Sequence, residues 1–277
     1  MTRRRDAILR EIGLAPLWRL RGAAEEVEEP AVQPPAATLE APPPRVPELP
    51  RTQAAPAGAP RRPVGTPPTP QPVLVAPPEP GPAPGADVSG LGWDELEARI
   101  RGCEACGLCR RRKQAVPGVG DREADWLFVG EGPGAEEDER GEPFVGQAGR
   151  LLDAMLATIG LQRGHDVYIA NAVKCRPPNN RTPEADELAA CFPYLRRQIE
   201  LIKPRLIVAL GRPAAQALLN QEVKISAARG RTFRYGDIPV VVTYHPAYLL
   251  RNQPDKAKAW EDLCFARKTM RALRDEA

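Results

Sequence analysis

Three glycines, Gly130, Gly132 and Gly134, alternate through the run Gly-Glu-Gly-Pro-Gly, and Glu131, Glu137 and Asp138 place carboxylates beside them. Glycines at this spacing allow backbone N–H groups to approach a ligand closely, and the carboxylates add acid, base or water-orienting capacity. The Gly-Lys-Ser/Thr ending of a phosphate loop is missing, and the acidic run would repel phosphate. A second set of reactive types is sulfur. Cys103 and Cys106 form a C-x2-C pair, and Cys175 and Cys191 flank a Pro-rich loop. Four thiolates suit a zinc ion or an iron-sulfur cluster, and spacing does not choose between them. Cys109 is a substitute for one of the first pair, and Cys264 reads as a buried thiol in a C-terminal helix.

The elements that must hold these groups follow from periodicity. Trp126 to Gly130 reads as a buried strand, and the pattern from Ala148 to Leu156 takes helical spacing. Val167–Val173, Leu206–Leu210 and Val240–Tyr244 are three further apolar strands. Helices are expected from Trp93 to Ile100, over Pro183–Ile202 and over Pro213–Leu219. Strands alternating with helices imply right-handed crossovers and a parallel sheet covered on both faces. Three strand ends, at Gly130, Asn171 and His245, then converge on one rim, where ligands of open α/β sheets bind.

Twenty of the 33 prolines lie between Pro30 and Pro84, mixed with Ala, Gly, Gln and Thr. Such a segment buries too little apolar surface to offset its ordering entropy, so residues 23–87 read as a disordered linker and residues 88–277 as one globular domain. Ahead of the linker, Ile8, Leu9 and Ile12 share a helical face closed by Gly13 and Pro16, and Leu17, Trp18 and Leu20 follow. Residues 1–22 therefore read as a docking peptide. A net charge of +3 does not by itself prescribe a nucleic-acid partner. No apolar run reaches membrane-spanning length and no signal-peptide core is evident, so the expectation is a soluble cytoplasmic monomer.

Read together, Gly130-Glu-Gly-Pro-Gly134, Pro143-Phe-Val-Gly146, Asn171-Ala-Val-Lys-Cys-Arg-Pro-Pro178 and His245-Pro-Ala-Tyr-Leu-Leu-Arg-Asn252 closely resemble the family 4 uracil-DNA glycosylases, over about residues 95–270. The resemblance implies a four-stranded parallel sheet between helices and a 4Fe-4S cluster on Cys103, Cys106, Cys175 and Cys191. It implies base-excision repair, with uracil-containing DNA as substrate, in a bacterial, nucleoid-associated setting. It leaves Cys109 and Cys264 without a role.

In those roles the residues make chemical sense. Asn171 accepts from uracil N3–H and donates to O4, a pattern that cytosine reverses. Phe144 stacks on the flipped base, and His245 donates to O2, helped by the backbone around Gly130, Glu131 and Gly132. Gly132 stands where the best-known glycosylase family has a water-activating Asp, so Glu137 is the expected water-positioning carboxylate and a block to the thymine methyl. Glu131 is second to it, and Asp138 complements a helix dipole. Leu249 or Leu250 is the expected wedge into the duplex. Arg176, Arg181, Lys224, Arg229, Arg231 and Arg251 are expected near phosphates.

The basic loop 174–183 contains no His, unlike a related uracil-trapping group, which favours turnover over covalent capture. Two other readings are a replication-associated module that only grips DNA and a zinc-stabilised nucleotide hydrolase. Intact Asn171, Phe144 and His245 favour the enzyme over the first; the second lacks a catalytic metal cluster beyond the cysteines. Finally, Arg4-Arg5-Asp6, Leu9, Gly13, Trp18 and Leu20-Arg21 resemble the N-terminal peptide of the clamp-loader psi subunit, which implies docking on the loader's collar.

Overall fold

A computed structural model describes residues 87–275, so the expected docking peptide 1–22 and nearly all of the expected linker 23–87 lie outside the described residues. A six-stranded sheet runs in the order β1 (Val119–Gly120), β3 (Val167–Asn171), β2 (Trp126–Gly130), β4 (Leu206–Leu210), β6 (Ile238–Thr243), β5 (Thr232–Tyr235). The four inner strands are mutually parallel, as the apolar runs predict. The expected four-stranded parallel sheet is thus its core, and the correction is an antiparallel strand at each edge. β1 has two residues and carries no periodic pattern. β5 alternates half-buried and buried positions and joins β6 through the two-residue turn Gly236-Asp237, with Gly236 at φ 56°. That turn is a hairpin signal, because a glycine in the left-handed region matches the twist of paired strands.

Every residue of β2, β3 and β4 is buried because helices cover both faces. Successive side chains point to opposite faces. Leu127, Val129, Tyr168, Ala170, Ile207 and Ala209 pack one way, against Leu195 and Ile199 of the long helix Ala185–Ile202 and Ala214 and Leu218 of Arg212–Leu219. Trp126, Phe128, Ile169 and Val208 pack the other way, against Leu152 and Leu156 of Gln147–Thr158 and Leu263 and Met270 of Asp255–Asp275. A smaller cluster gathers Leu96 and Ile100 of the helix Trp93–Arg101 with Leu108, Cys175, Cys191 and Tyr194.

The chain steps from β2 outward to β3, then crosses back over β2 to β4. The strand order therefore reverses at β2, and the crevice at its carboxyl end is where such sheets bind ligands. No helix among the described residues is long and apolar enough to cross a membrane.

Candidate active site

At the carboxyl edge, Gly130 pairs in register with Asn171. A Cβ on Gly130 would stand 2.4 Å from Asn171 Oδ1 and 2.6 Å from the Phe144 ring. Glycine here is a packing requirement that lets those two side chains meet over the strand end. Gly132 is tight for a different reason: a Cβ would stand 2.7 Å from Val173 Cγ2. Gly134 begins the short helix Ala135–Arg140 and donates its N–H to Glu137 Oε2 at 3.0 Å, so the acidic stretch is a capped helix.

Three buried side-chain polar atoms lack a hydrogen-bond partner among the described residues: Trp126 Nε1, Asn171 Oδ1 and His245 Nε2. Buried polar groups are almost always paired, so each exception needs a reason. Asn171 and His245 both line one cleft of about 940 Å³, together with Glu131, Glu137 and Phe144. The Phe144 ring lies between them in the sense that its centroid is 5.4 Å from the imidazole, tilted by 30°, while its edge borders Gly130 beside Asn171. An acceptor, a donor and an aromatic ring thus converge where the sequence places a ligand.

His245 follows β6 and caps the helix Pro246–Arg251, its Nδ1 accepting from the Ala247 N–H at 3.1 Å. A neutral imidazole that accepts at Nδ1 carries its proton on Nε2. Burial, with a smaller contribution from Arg251, pushes the imidazole pKa down to about 4, and the Glu137 carboxylate only partly opposes this. The unpartnered Nε2–H is therefore an uncharged donor on a residue that lines the cleft.

The two candidate carboxylates differ. Glu137 is buried, and its oxygens accept from the N–H groups of Gly134, Val145 and Gly146, each at 3.0 Å. Glu131 is half-buried; burial raises its pKa against the opposing effects of Thr182, Arg212 and Arg251. Asp138, expected to complement a helix dipole, accepts from the Lys113 N–H at 2.9 Å and so ties an outer loop to this helix.

The expected DNA-contact residues separate clearly. Arg251 is exposed and lines the cleft, as does Arg212, which the sequence reading missed. Lys224 and Arg231 are exposed, and Arg176 binds Asn180 Oδ1 at 2.7 Å. Arg181 also lines the cleft, but its guanidinium forks onto Glu187 at 2.8 and 2.6 Å. Arg229 is held by Asp262 at 2.9 Å and Glu261 at 3.0 Å and lies over the Tyr244 ring, so it braces the end of β6. Leu249 corrects the expectation of a wedge at either position: it is 1% exposed within the core, because its position on the helix Pro246–Arg251 turns it inward, and only Leu250 is partly exposed.

Behind β3, Cys103, Cys106, Cys175 and Cys191 line one small cavity with Cys109, Arg112, Lys174 and Tyr194. N–H groups point at three of the sulfurs: Ala105 N to Cys103 at 3.4 Å, Arg112 Nη1 to Cys175 at 3.0 Å and Lys174 N to Cys191 at 3.2 Å. Donors of this kind stabilise thiolates. Burial pushes the Cys191 thiol up to about 12, against the opposing effect of Lys174, and raises Cys175 and Cys106 as well. Cys264 is half-buried and lies apart from this cavity.

Residues 117–264 match the model of the uracil DNA glycosylase superfamily. The chain is 44% identical over 183 residues to the type-4 uracil-DNA glycosylase of Pyrobaculum aerophilum, covering 63% of this chain and 93% of that protein. It is 48% identical to the type-4 enzymes of Archaeoglobus fulgidus, over 57% of this chain and 82% of the relative, and of Thermotoga maritima, over 59% and 85%. With matches of this identity and extent, the chain belongs to the uracil-DNA glycosylase superfamily.

Proposed function

We propose that this protein hydrolyses the N-glycosidic bond of deoxyuridine in DNA, releasing uracil and leaving an abasic site for base-excision repair. The observation that carries the reading is the pair of buried, unpartnered atoms Asn171 Oδ1 and His245 Nε2 beside the Phe144 ring. Uracil has the complementary donor, acceptor and π-face. The flipped base stacks on Phe144, and Asn171 accepts from N3–H. Cytosine has a lone pair at that position and is rejected, because the acceptor stays unpaired.

When the bond from N1 to C1′ breaks, its electron pair goes to the base and reaches O2, while the sugar becomes cation-like. His245 stabilises that anion as a neutral donor, which needs no proton to arrive from solvent. Water then adds to C1′, and the proton it gives up ends on the departing uracil anion, so the products are neutral uracil and the abasic sugar. Of the two carboxylates, Glu131 suits the water-positioning role, since the Glu137 oxygens are committed to backbone N–H groups. Arg251 and Arg212 suit phosphates at the cleft mouth, and Leu250 suits the gap left by the flipped nucleotide.

The cysteine cavity fits a 4Fe-4S cluster on Cys103, Cys106, Cys175 and Cys191, with N–H donors already directed at three sulfurs. A bound cluster would hold the thiolates and cross-link the segment 103–109 to β3 and the helix Ala185–Ile202; the glycosylase chemistry requires no electron transfer from it. Anaerobically purified protein should contain about four irons and absorb broadly near ~400 nm. Stoichiometric zinc without iron would contradict this assignment.

Residues 1–22 are proposed as a docking peptide for the clamp-loader collar and residues 23–87 as a tether, supported by the residue types at Trp18 and its Leu neighbours. Absence of binding by a 1–22 peptide in low-salt calorimetry would remove that part and leave the enzyme reading intact. The enzyme reading itself is tested by incubating the protein with a uracil-containing oligonucleotide in EDTA and cleaving abasic sites with alkali. Strand cleavage is expected, with His245→Ala and Asn171→Ala at least ~10^2-fold slower. Wild-type rates in both variants would overturn it.

A further inference from the structure

Phe144 is a bulky aromatic residue held at φ 56°, a left-handed conformation that β-carbon sterics disfavour. Such strain persists only where neighbouring groups over-determine it. Here the neighbours are specific. Arg163 donates through Nη1 to the Pro143 carbonyl at 2.9 Å and through Nη2 to the Phe144 carbonyl at 2.8 Å. Its Nε donates in turn to Asp153 Oδ1 at 3.0 Å. On the other side of the same turn, Glu137 Oε1 accepts from the N–H groups of Val145 and Gly146. The Phe144 carbonyl also lies against Gly149, where a Cβ would stand 1.7 Å from that oxygen.

We infer that Arg163 and Glu137 form a two-sided clamp that presets Phe144 for base stacking, with Arg163 as a positioning residue outside the cleft. Two successive carbonyls are taken by a forked cation and the two N–H groups that follow by one carboxylate oxygen, so the three successive peptide groups of the turn are fixed independently of any ligand. Arg163 does not line the cleft, and its guanidinium is half-buried behind the turn. Arginine suits this place because its rigid fork addresses both carbonyls at once, whereas lysine supplies one point donor. The clamp also gives Glu137 a role at the cleft wall, where three backbone N–H groups occupy its oxygens: it acts through Phe144.

The inference rests on the glycosylase reading, and the experiment separates the two. Wild type, Arg163→Met, Phe144→Leu and the double variant are compared for KM and kcat on uracil-containing oligonucleotide and for dissociation constants of free uracil, with melting temperature as a control. Arg163→Met should weaken uracil binding about tenfold in the wild-type background and leave it nearly unchanged in the Phe144→Leu background, since a stacking contact is lost only once. Arg163→Lys should recover part of the loss.

Backbone chemical shifts of isotope-labelled phenylalanine, recorded without substrate, should show Phe144 leaving the left-handed region in Arg163→Met. If Arg163→Met does not fold, Asp153→Asn, which alters an exposed carboxylate, should give a smaller loss with the same dependence on Phe144. Equal losses in both backgrounds, or unchanged Phe144 shifts, would overturn the clamp. No uracil release by the wild type would overturn the glycosylase reading, and the shifts would still report on the clamp.

Discussion

The Ala247 N–H donates to Nδ1 of His245 at 3.1 Å, and this bond decides where the imidazole proton resides. Protonating Nδ1 would replace an acceptor with a donor facing another donor. Burial, with a smaller effect from Arg251, keeps the folded-state pKa near 4, below the ordinary 6.5. An unfolded chain therefore takes up the proton first as pH falls.

The stability contribution of neutral His245 is complete above pH 6.5 and is lost progressively as pH falls through about 4, a change of about 3 kcal/mol. Urea unfolding of wild type and His245→Gln between pH 7 and 4 should show this slope only in the wild type. The acid limb of kcat should likewise lack an inflection at 6.5, because the donor is already neutral there. An inflection at 6.5 that disappears in His245→Gln would show that the imidazole titrates normally.

A second prediction concerns the residues between the cysteine cavity and the cleft. Lys174 is buried; its Nζ donates to the Asn171 carbonyl at 2.9 Å and to Gln198 Oε1 at 2.6 Å. Gln198 continues the chain of bonds to the Pro117 carbonyl at 2.8 Å. Lys174→Met fills the space yet leaves two buried acceptors unpaired, at roughly 1–3 kcal/mol each. Urea unfolding should show a loss of about 2–6 kcal/mol, and Gln198→Leu should lose a comparable amount. The double variant should lose less than the sum. Additive losses would mean that the two side chains do not share one network.

The fold was legible where burial imposes a pattern. Continuous apolar runs mark β2, β3, β4 and β6 because helices cover both faces, and their ends bring Gly130, Asn171 and His245 together. The same logic brings four cysteines to one cavity from three separate segments. What escaped depends on side-chain direction rather than residue type. Arg163, Lys174, Arg181 and Arg229 look alike in sequence, yet one grips carbonyls, one is buried, and two are bound to acidic partners. Edge strands escaped because β1 is too short for a period and β5 is half-exposed.

Leu249 and Leu250 show the same limit and permit a direct contrast. The helix Pro246–Arg251 turns through about 100° per residue, so adjacent leucines point to different environments. Leu249 packs in the core cluster with Leu152, Phe144 and Val241, whereas Leu250 is partly exposed. Leu249→Ala should therefore cost about 2–5 kcal/mol in urea unfolding, as removal of a buried Leu does elsewhere, with DNA affinity of the folded protein unchanged. Leu250→Ala should cost under about 1 kcal/mol, since little apolar surface is newly exposed. Its effect should fall on nucleotide flipping, read by fluorescence of 2-aminopurine placed beside the uracil, where a wedge stabilises the opened stack. If Leu249→Ala impaired flipping at unchanged stability and Leu250→Ala did not, the burial of Leu249 would have been misassigned and the wedge would belong to that side chain instead.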